Sequence, residues 1–90
     1  MQDDPYKIAY KKSVEKDLRV LTIALRKAIV KKILSLATDP LPVNVTKLRG
    51  STDVYRLRHS DYRIIYQFQT GKLKILIVKV GHRREVYKDF

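Results

Sequence analysis

The chain has 90 residues, no cysteine and two histidines, and its 20 lysines and arginines outnumber 9 acidic residues for a net charge of +11. This length favours a single domain over residues 1–90, and the composition excludes disulfides, thiolate metal sites and a membrane-spanning run of roughly 20 apolar residues. The charge predicts a polyanion as partner, with solubility as the alternative reason for it, and we expect a cytoplasmic protein with no metal, other cofactor or membrane partner.

The first half of the chain predicts one strand followed by helical structure. Tyr6 to Tyr10 alternates as a strand does, and a helical pattern then runs from Ser13, a candidate N-cap, to about Thr38. Thr22 is a candidate second cap that would divide this pattern into two helices, a question that the sequence leaves open. The pattern ends at Asp39-Pro40-Leu41-Pro42, because proline interrupts helical hydrogen bonding. Its apolar residues form one stripe: Leu18, Leu21, Leu25, Ala28, Ile29, Ile33 and Leu36.

The second half predicts three strands joined by short turns. β-branched and aromatic residues fill Val54 to His59, Tyr62 to Gln69 and Leu73 to Val80, and Gly81 is interpreted as the end of the last strand. That last strand is apolar on both faces, which predicts an interior position in the sheet. The order of elements predicts an α+β fold with an N-terminal strand, two helices in a helical hairpin and a three-stranded antiparallel meander. The helices would pack on one face of a four-stranded sheet.

Strand alternation gathers three arginines on one face of the predicted sheet. Side chains two residues apart share a face, so Arg56 and Arg58 point away from the face of Leu57. On the next strand an apolar set that begins at Tyr62 leaves Arg63 on the opposite face, beside the other two arginines. The planar guanidinium donates paired hydrogen bonds to phosphate oxygens, which predicts a phosphate-binding site. An ordinary exposed polar face is the alternative.

Further candidates for chemistry follow the predicted last strand. His82 is a candidate acid or base, because an imidazole can gain or lose a proton near neutral pH, and a residue that caps the turn is the alternative. Arg83 and Arg84 add positive charge. Tyr87 can stack on a nucleic-acid base, with a place at the edge of the core as the alternative. His59 has the parity of the core face and is predicted to be structural.

Four segments together resemble the successive sequence blocks of the RelE toxins, in the RelE/ParE superfamily. They are Lys47-Leu48-Arg49-Gly50, Tyr55-Arg56-Leu57-Arg58, Asp61-Tyr62-Arg63-Ile64-Ile65-Tyr66 and Gly81-His82-Arg83-Arg84-Glu85-Val86-Tyr87. The resemblance spans nearly the whole chain and implies a RelE/ParE-like, microbial-ribonuclease-like fold. It implies the toxin of a type II toxin–antitoxin system, a ribosome-dependent endoribonuclease that cleaves messenger RNA in the A site. The ribose 2′-hydroxyl would attack the adjacent phosphate, and the implied partners are a cognate antitoxin, the ribosome and messenger RNA.

The resemblance also implies residue roles. Catalytic roles fall on Arg56, Arg58, Arg63, Arg83 and Tyr87, and RNA or ribosome binding falls on Lys47, Arg49 and Arg84. The best-known family members carry lysine where this chain has Arg56 and Arg58. Because arginine stays protonated, these two residues are expected to stabilise the transition state rather than to accept a proton. The base would then be His82, water or a ribosomal group.

Two other functions compete with the nuclease, namely a ParE-type toxin that inhibits DNA gyrase by binding and a passive RNA-binding module. Arg83 and Tyr87 favour the nuclease, because a gyrase inhibitor needs neither. The antitoxin is expected to dock on the basic helices or on the sheet face. Because the chain ends at Phe90, we expect none of the short C-terminal helix that some family members carry.

Overall fold

A computed structural model of the chain describes residues 6–69 and 71–86, and in that part a mixed sheet of five strands carries two helices on one face. The strands are β1 Lys7–Tyr10, β2 Val45–Lys47, β3 Val54–His59, β4 Tyr62–Phe68 and β5 Lys74–His82. The helices are α1 Lys12–Arg19, α2 Ile23–Ser35 and the single turn α3 Arg83–Val86. The predicted α+β fold, with its N-terminal strand, helices and antiparallel meander, is confirmed.

The strands lie in the order β1-β5-β4-β3-β2. β1 runs parallel to β5, and the other neighbouring pairs are antiparallel. β5 is an interior strand, as its apolar composition predicted. It continues through Gly81 to His82, so the prediction that Gly81 ends it is corrected, because Gly81 still pairs with Arg63.

The sequence did not reveal β2, and the sheet therefore has five strands rather than the four predicted. β2 is three residues long, and two of them are exposed, so no alternating apolar run marks it. It forms because it pairs with β3, with Val45 opposite Leu57 and Thr46 opposite Arg56. Val45 also packs against the core, which fixes which face of β2 points toward the helices.

The helical pattern divides at Thr22, whose side-chain Oγ1 accepts a hydrogen bond of 3.3 Å from the backbone N–H of Leu25. This is an N-cap, and it confirms the break into two helices that the sequence left open. The prediction for Ser13 is wrong. α1 begins at Lys12, its N-cap position is Lys11, and no side-chain hydrogen bond caps it.

We expect Thr22→Ala to lower the free energy of unfolding by about 1 kcal/mol, because the N–H of Leu25 loses its acceptor. Urea denaturation followed by circular dichroism measures this change. Thr22→Ser should keep most of the stability, and Ser13→Ala is the matched control because Ser13 makes no capping hydrogen bond. Equal losses in the Thr22 and Ser13 variants would contradict the assignment of the cap.

The core lies between the helices and one face of the sheet. Tyr66 is fully buried there, and its hydroxyl donates a 2.6 Å hydrogen bond to the carbonyl oxygen of Pro40. Burial raises the pKa of Tyr66 above its usual range, so the hydroxyl stays protonated. β5 supplies Ile75, Ile77 and Val80 to the same core, because a bulge at Val78 shifts the pairing by one residue.

Candidate nucleic-acid interface

Strand pairing places three arginines on the sheet face that points away from the helices. Arg56 lies opposite Ile65, and Arg58 lies directly opposite Arg63. Residues that pair directly point to the same side of a sheet, and Leu57 between the two β3 arginines belongs to the core on the other side. We call the surface of Arg56, Arg58 and Arg63 the arginine face. The prediction that these three side chains share one face is confirmed.

A groove of about 560 Å³ opens on this face beside the exposed Arg58 and the half-buried Arg56. We call it the arginine groove, and its other polar walls come from Asn44, Thr46 and Ser60. β2 forms one side of the groove, so the strand that the sequence did not reveal supplies part of the candidate site. The groove has room for a phosphate group, and its guanidinium groups are of the kind that donates hydrogen bonds to phosphate oxygens.

Arg63 is placed differently from the other two arginines, since its residue is only 6% exposed. Its Nη1 donates hydrogen bonds of 3.0 Å and 2.9 Å to the carbonyl oxygens of Ser60 and Tyr62. Its Nε is buried without a hydrogen-bond partner, and no carboxylate within residues 6–69 and 71–86 forms an ion pair with it. The Arg63 side chain therefore fixes the β3–β4 turn and keeps a positive charge beneath the arginine face.

The β3–β4 turn also fixes the start of α3. Ser60 adopts a left-handed backbone with φ of 55°, and the carbonyl oxygen of Asp61 accepts a 2.7 Å hydrogen bond from the N–H of Arg83. The chain then folds back over β5, since a Cβ atom at Gly81 would lie 3.1 Å from Cγ2 of the buried Val86. The expectation of no C-terminal helix is thus corrected, because this packing holds one helical turn.

Two predicted site residues lie on the other side of the sheet. His82 pairs with Tyr62, and their rings meet edge to face at 5.5 Å between centroids, on the helix side. Its Nδ1 accepts a 3.2 Å hydrogen bond from the N–H of Arg84, which fits the turn-capping alternative rather than an acid or base beside the arginines. Lys47 pairs with Tyr55, a neighbour of the core, so it also points away from the arginine face. The structural role predicted for His59 is consistent with its half-buried position opposite Tyr62.

The remaining basic candidates are exposed. Arg83 and Arg84 are exposed on α3, and Arg49 is exposed in the loop between β2 and β3. Tyr87 lies outside the described residues. The sequence missed Asn44 and Thr46, and no local signal marks them, because β2 exists only through its pairing with β3.

Neither a metal centre nor a membrane span is present in the described part of the chain. Among residues 6–69 and 71–86, no three histidine, aspartate or glutamate side chains come together as metal ligands would. None of the helices in these ranges is long and apolar enough to cross a bilayer.

Fold and face together define a class: a small α+β domain whose sheet presents arginines on the face opposite its helices. Residues 8–87 match the family model described as the ParE toxin of type II toxin–antitoxin systems, parDE. The mRNA interferase toxin RelE of Escherichia coli K12 is 35% identical over 78 residues, which cover 82% of this chain and 81% of that protein. The chain belongs to the RelE/ParE superfamily of type II toxins and is of the RelE type.

Other relatives agree with this assignment. The putative toxin RelE1 of Methanocaldococcus jannaschii is 31% identical over 87 residues, covering 93% of this chain and 97% of that one. The archaeal RelE in the RelE–RelB complex of Pyrococcus horikoshii superposes with a TM-score of 0.79 at 31% identity, covering 90% of this chain and 98% of the other. The isolated E. coli RelE toxin superposes with a TM-score of 0.75 at 30% identity and 93% coverage of both chains.

Proposed function

We propose that this toxin is an endoribonuclease that cleaves messenger RNA in the ribosomal A site and so inhibits translation. The observation that carries the proposal is the pairing of Arg58 with Arg63, which concentrates positive charge on one face beside an open groove. Its relatives named mRNA interferases support RNA as the polyanion. A cytoplasmic location follows from this role, because its target is the translating ribosome.

The proposed reaction needs charge stabilisation at the scissile phosphate. Attack by the 2′-hydroxyl, which gives up its proton, forms the new O–P bond and builds negative charge on the equatorial oxygens of a pentacovalent phosphorus. The P–O5′ bond then breaks, and the 5′-oxygen takes up a proton to leave as a 5′-hydroxyl. Arg56 and Arg58 in the arginine groove would donate hydrogen bonds to the phosphate oxygens as this charge develops. Arg63 adds its charge from below, and Arg83 and Tyr87 at the C-terminal end would complete the site.

The proton of the 2′-hydroxyl needs an acceptor that the arginine face lacks. Among the described residues, the side chains that share this face on β3 and β4 are arginine, valine, isoleucine and glutamine, none of which is a base near neutral pH: Val54, Arg56, Arg58, Arg63, Ile65 and Gln67. His82 is on the opposite side. We therefore assign proton transfer to water or to a ribosomal group, and in the second case the ribosome would be a component of the active site.

The purified protein should cleave free RNA far more slowly than messenger RNA in a translation extract, because none of the side chains that β3 and β4 place on the arginine face is a base near neutral pH. Primer extension on the same message, with and without ribosomes, measures this difference. Cuts confined to translated codons are the expected result. Equal cleavage of naked RNA would contradict ribosome dependence, and intact message in both reactions would contradict the nuclease.

Inhibition of DNA gyrase is the second candidate, and the description of the matching family model as a ParE toxin favours it. This function requires binding without cleavage. A supercoiling assay with purified gyrase separates the two candidates, and we expect no inhibition at concentrations that stop translation. If the protein inhibited supercoiling and left messenger RNA uncut in the translation extract, gyrase inhibition would replace the nuclease as the proposed function.

A cognate antitoxin is the expected protein partner. The solved relatives from Pyrococcus horikoshii and Methanocaldococcus jannaschii are RelE–RelB complexes, and a net charge of +11 favours an acidic binding segment here. Co-expression with the neighbouring antitoxin gene should restore growth. Affinity purification of the toxin should then recover the complex.

A further inference from the structure

We propose that an apolar cleft beside the arginine groove binds the base of a nucleotide whose phosphate occupies that groove. The inference rests on the proposed RNA substrate and deepens it, because it assigns base recognition to the toxin itself. The cleft has a volume of about 260 Å³ and a mainly apolar lining, which combines the half-buried Leu48 and Val54 with the fully buried Ile65 and Val86. Arg49 stands at its exposed rim.

Local hydrogen bonds hold the cleft open before any ligand arrives. Ser51 Oγ accepts hydrogen bonds of 3.2 Å and 2.9 Å from the N–H groups of Asp53 and Val54. The N–H of Leu48 donates a hydrogen bond of 2.9 Å to the carbonyl oxygen of Val54, and Gly50 closes the turn with φ of 80°. α3 supplies the other wall through Val86, which is fully buried. A preformed cleft binds without the entropic cost of ordering its loop.

The cleft and the arginine groove meet at Arg56. Ile65, in the wall of the cleft, is the direct partner of Arg56 across the sheet. Val54 lies two residues before Arg56 on the same strand and face, at a spacing of roughly 7 Å. The site thus joins a charged groove to an apolar cleft, and a nucleotide joins an anionic phosphate through its ribose to a flat base with an apolar surface.

The charge around the cleft favours a nucleotide over an apolar segment of a protein. Arg49 at the rim and Arg56 at the junction both attract the phosphates on either side of a bound base. A guanidinium also stacks on the face of a base. The apolar wall contributes stacking and dispersion, which tolerate every base, while the limited volume would discriminate between purines and pyrimidines.

Val54→Phe tests the cleft, because phenylalanine suits the first position of a strand and fills the space above Ile65. We expect at least a tenfold fall in kcat/KM for message cleavage in the translation extract, mainly through KM. The preference between purine and pyrimidine at the cut site should shrink or invert. Val54→Ala should lower kcat/KM less than Val54→Phe does and should relax the preference. Val20→Phe is the matched control, since Val20 is 80% exposed and follows the end of α1. This variant should cleave message as the wild type does.

A binding measurement separates failure of the cleft from failure of the nuclease. Short RNA strands with one 2′-deoxyribose at the cut site cannot react, and they should shift the methyl resonances of Val54, Ile65 and Val86 in a base-dependent way. If the wild type cuts no message yet these shifts appear, the nuclease proposal fails and the base site stands. The base site would be overturned if Val54→Phe left kcat/KM and the base preference unchanged. It would also be overturned if only an acidic amphipathic peptide, and no RNA strand, shifted these methyl resonances.

Discussion

Replacing Arg58 with alanine is expected to lower the rate of message cleavage about 100- to 1000-fold, the loss typical of removing one donor to a developing oxyanion. Arg58 is exposed in the arginine groove and lies directly opposite Arg63, so its guanidinium is available to the phosphate. The melting temperature should stay within a few degrees, since an exposed side chain contributes little to stability. Single-turnover cleavage in the translation extract measures the rate, and thermal denaturation measures the fold.

Arg19→Ala is the matched control, because it removes the same charge from an exposed position on α1, across the sheet from the arginine face. It should cleave at nearly the wild-type rate. Similar losses in both variants would mean that total charge, rather than the arginine groove, carries the activity. A fully active Arg58→Ala protein would remove Arg58 from the site.

Arg63→Met should lower both stability and cleavage. The carbonyl oxygens of Ser60 and Tyr62 lose their shared donor, and we expect the free energy of unfolding to fall by about 1–3 kcal/mol. The turn that they shape presents the carbonyl oxygen of Asp61 to Arg83, so the start of α3 should shift with it. Cleavage should fall at least tenfold. Urea denaturation and single-turnover cleavage measure the two effects.

Arg63→Lys separates charge from geometry at this position. Lysine keeps the positive charge but lacks the forked guanidinium. If Arg63 acted through its charge alone, Arg63→Lys would cleave at the wild-type rate, whereas we expect it to recover only part of the cleavage lost in Arg63→Met. Wild-type stability with lost cleavage in Arg63→Met would show that Arg63 acts on the RNA rather than on the turn. Lost stability with full cleavage would show that the turn does not position α3. Arg19→Met is the control for the same exchange at an exposed site.

The positions of His82 and Lys47 relative to the arginine face both depend on strand pairing. Counting alternate residues from the core positions Ile75 and Ile77 places His82 on the arginine side. The bulge at Val78 inverts this count, so that Val80 and His82 point toward the helices. The face of Lys47 depends on its pairing with Tyr55, and β2 itself forms only through that pairing. Neither the bulge nor the pairing leaves a local mark on the sequence.

By itself the sequence determined the fold class, the positive charge and the shared face of Arg56, Arg58 and Arg63, and it offered Thr22 as a candidate cap without deciding the helix break. These features depend on interactions between residues close in the chain, such as two-residue strand alternation and side-chain capping. Only the tertiary structure decided that Arg63 is buried in the turn, that β2 walls the arginine groove and that α3 packs on Gly81. Those outcomes depend on which distant segments pack together, because burial and strand register are properties of contacts rather than of local sequence.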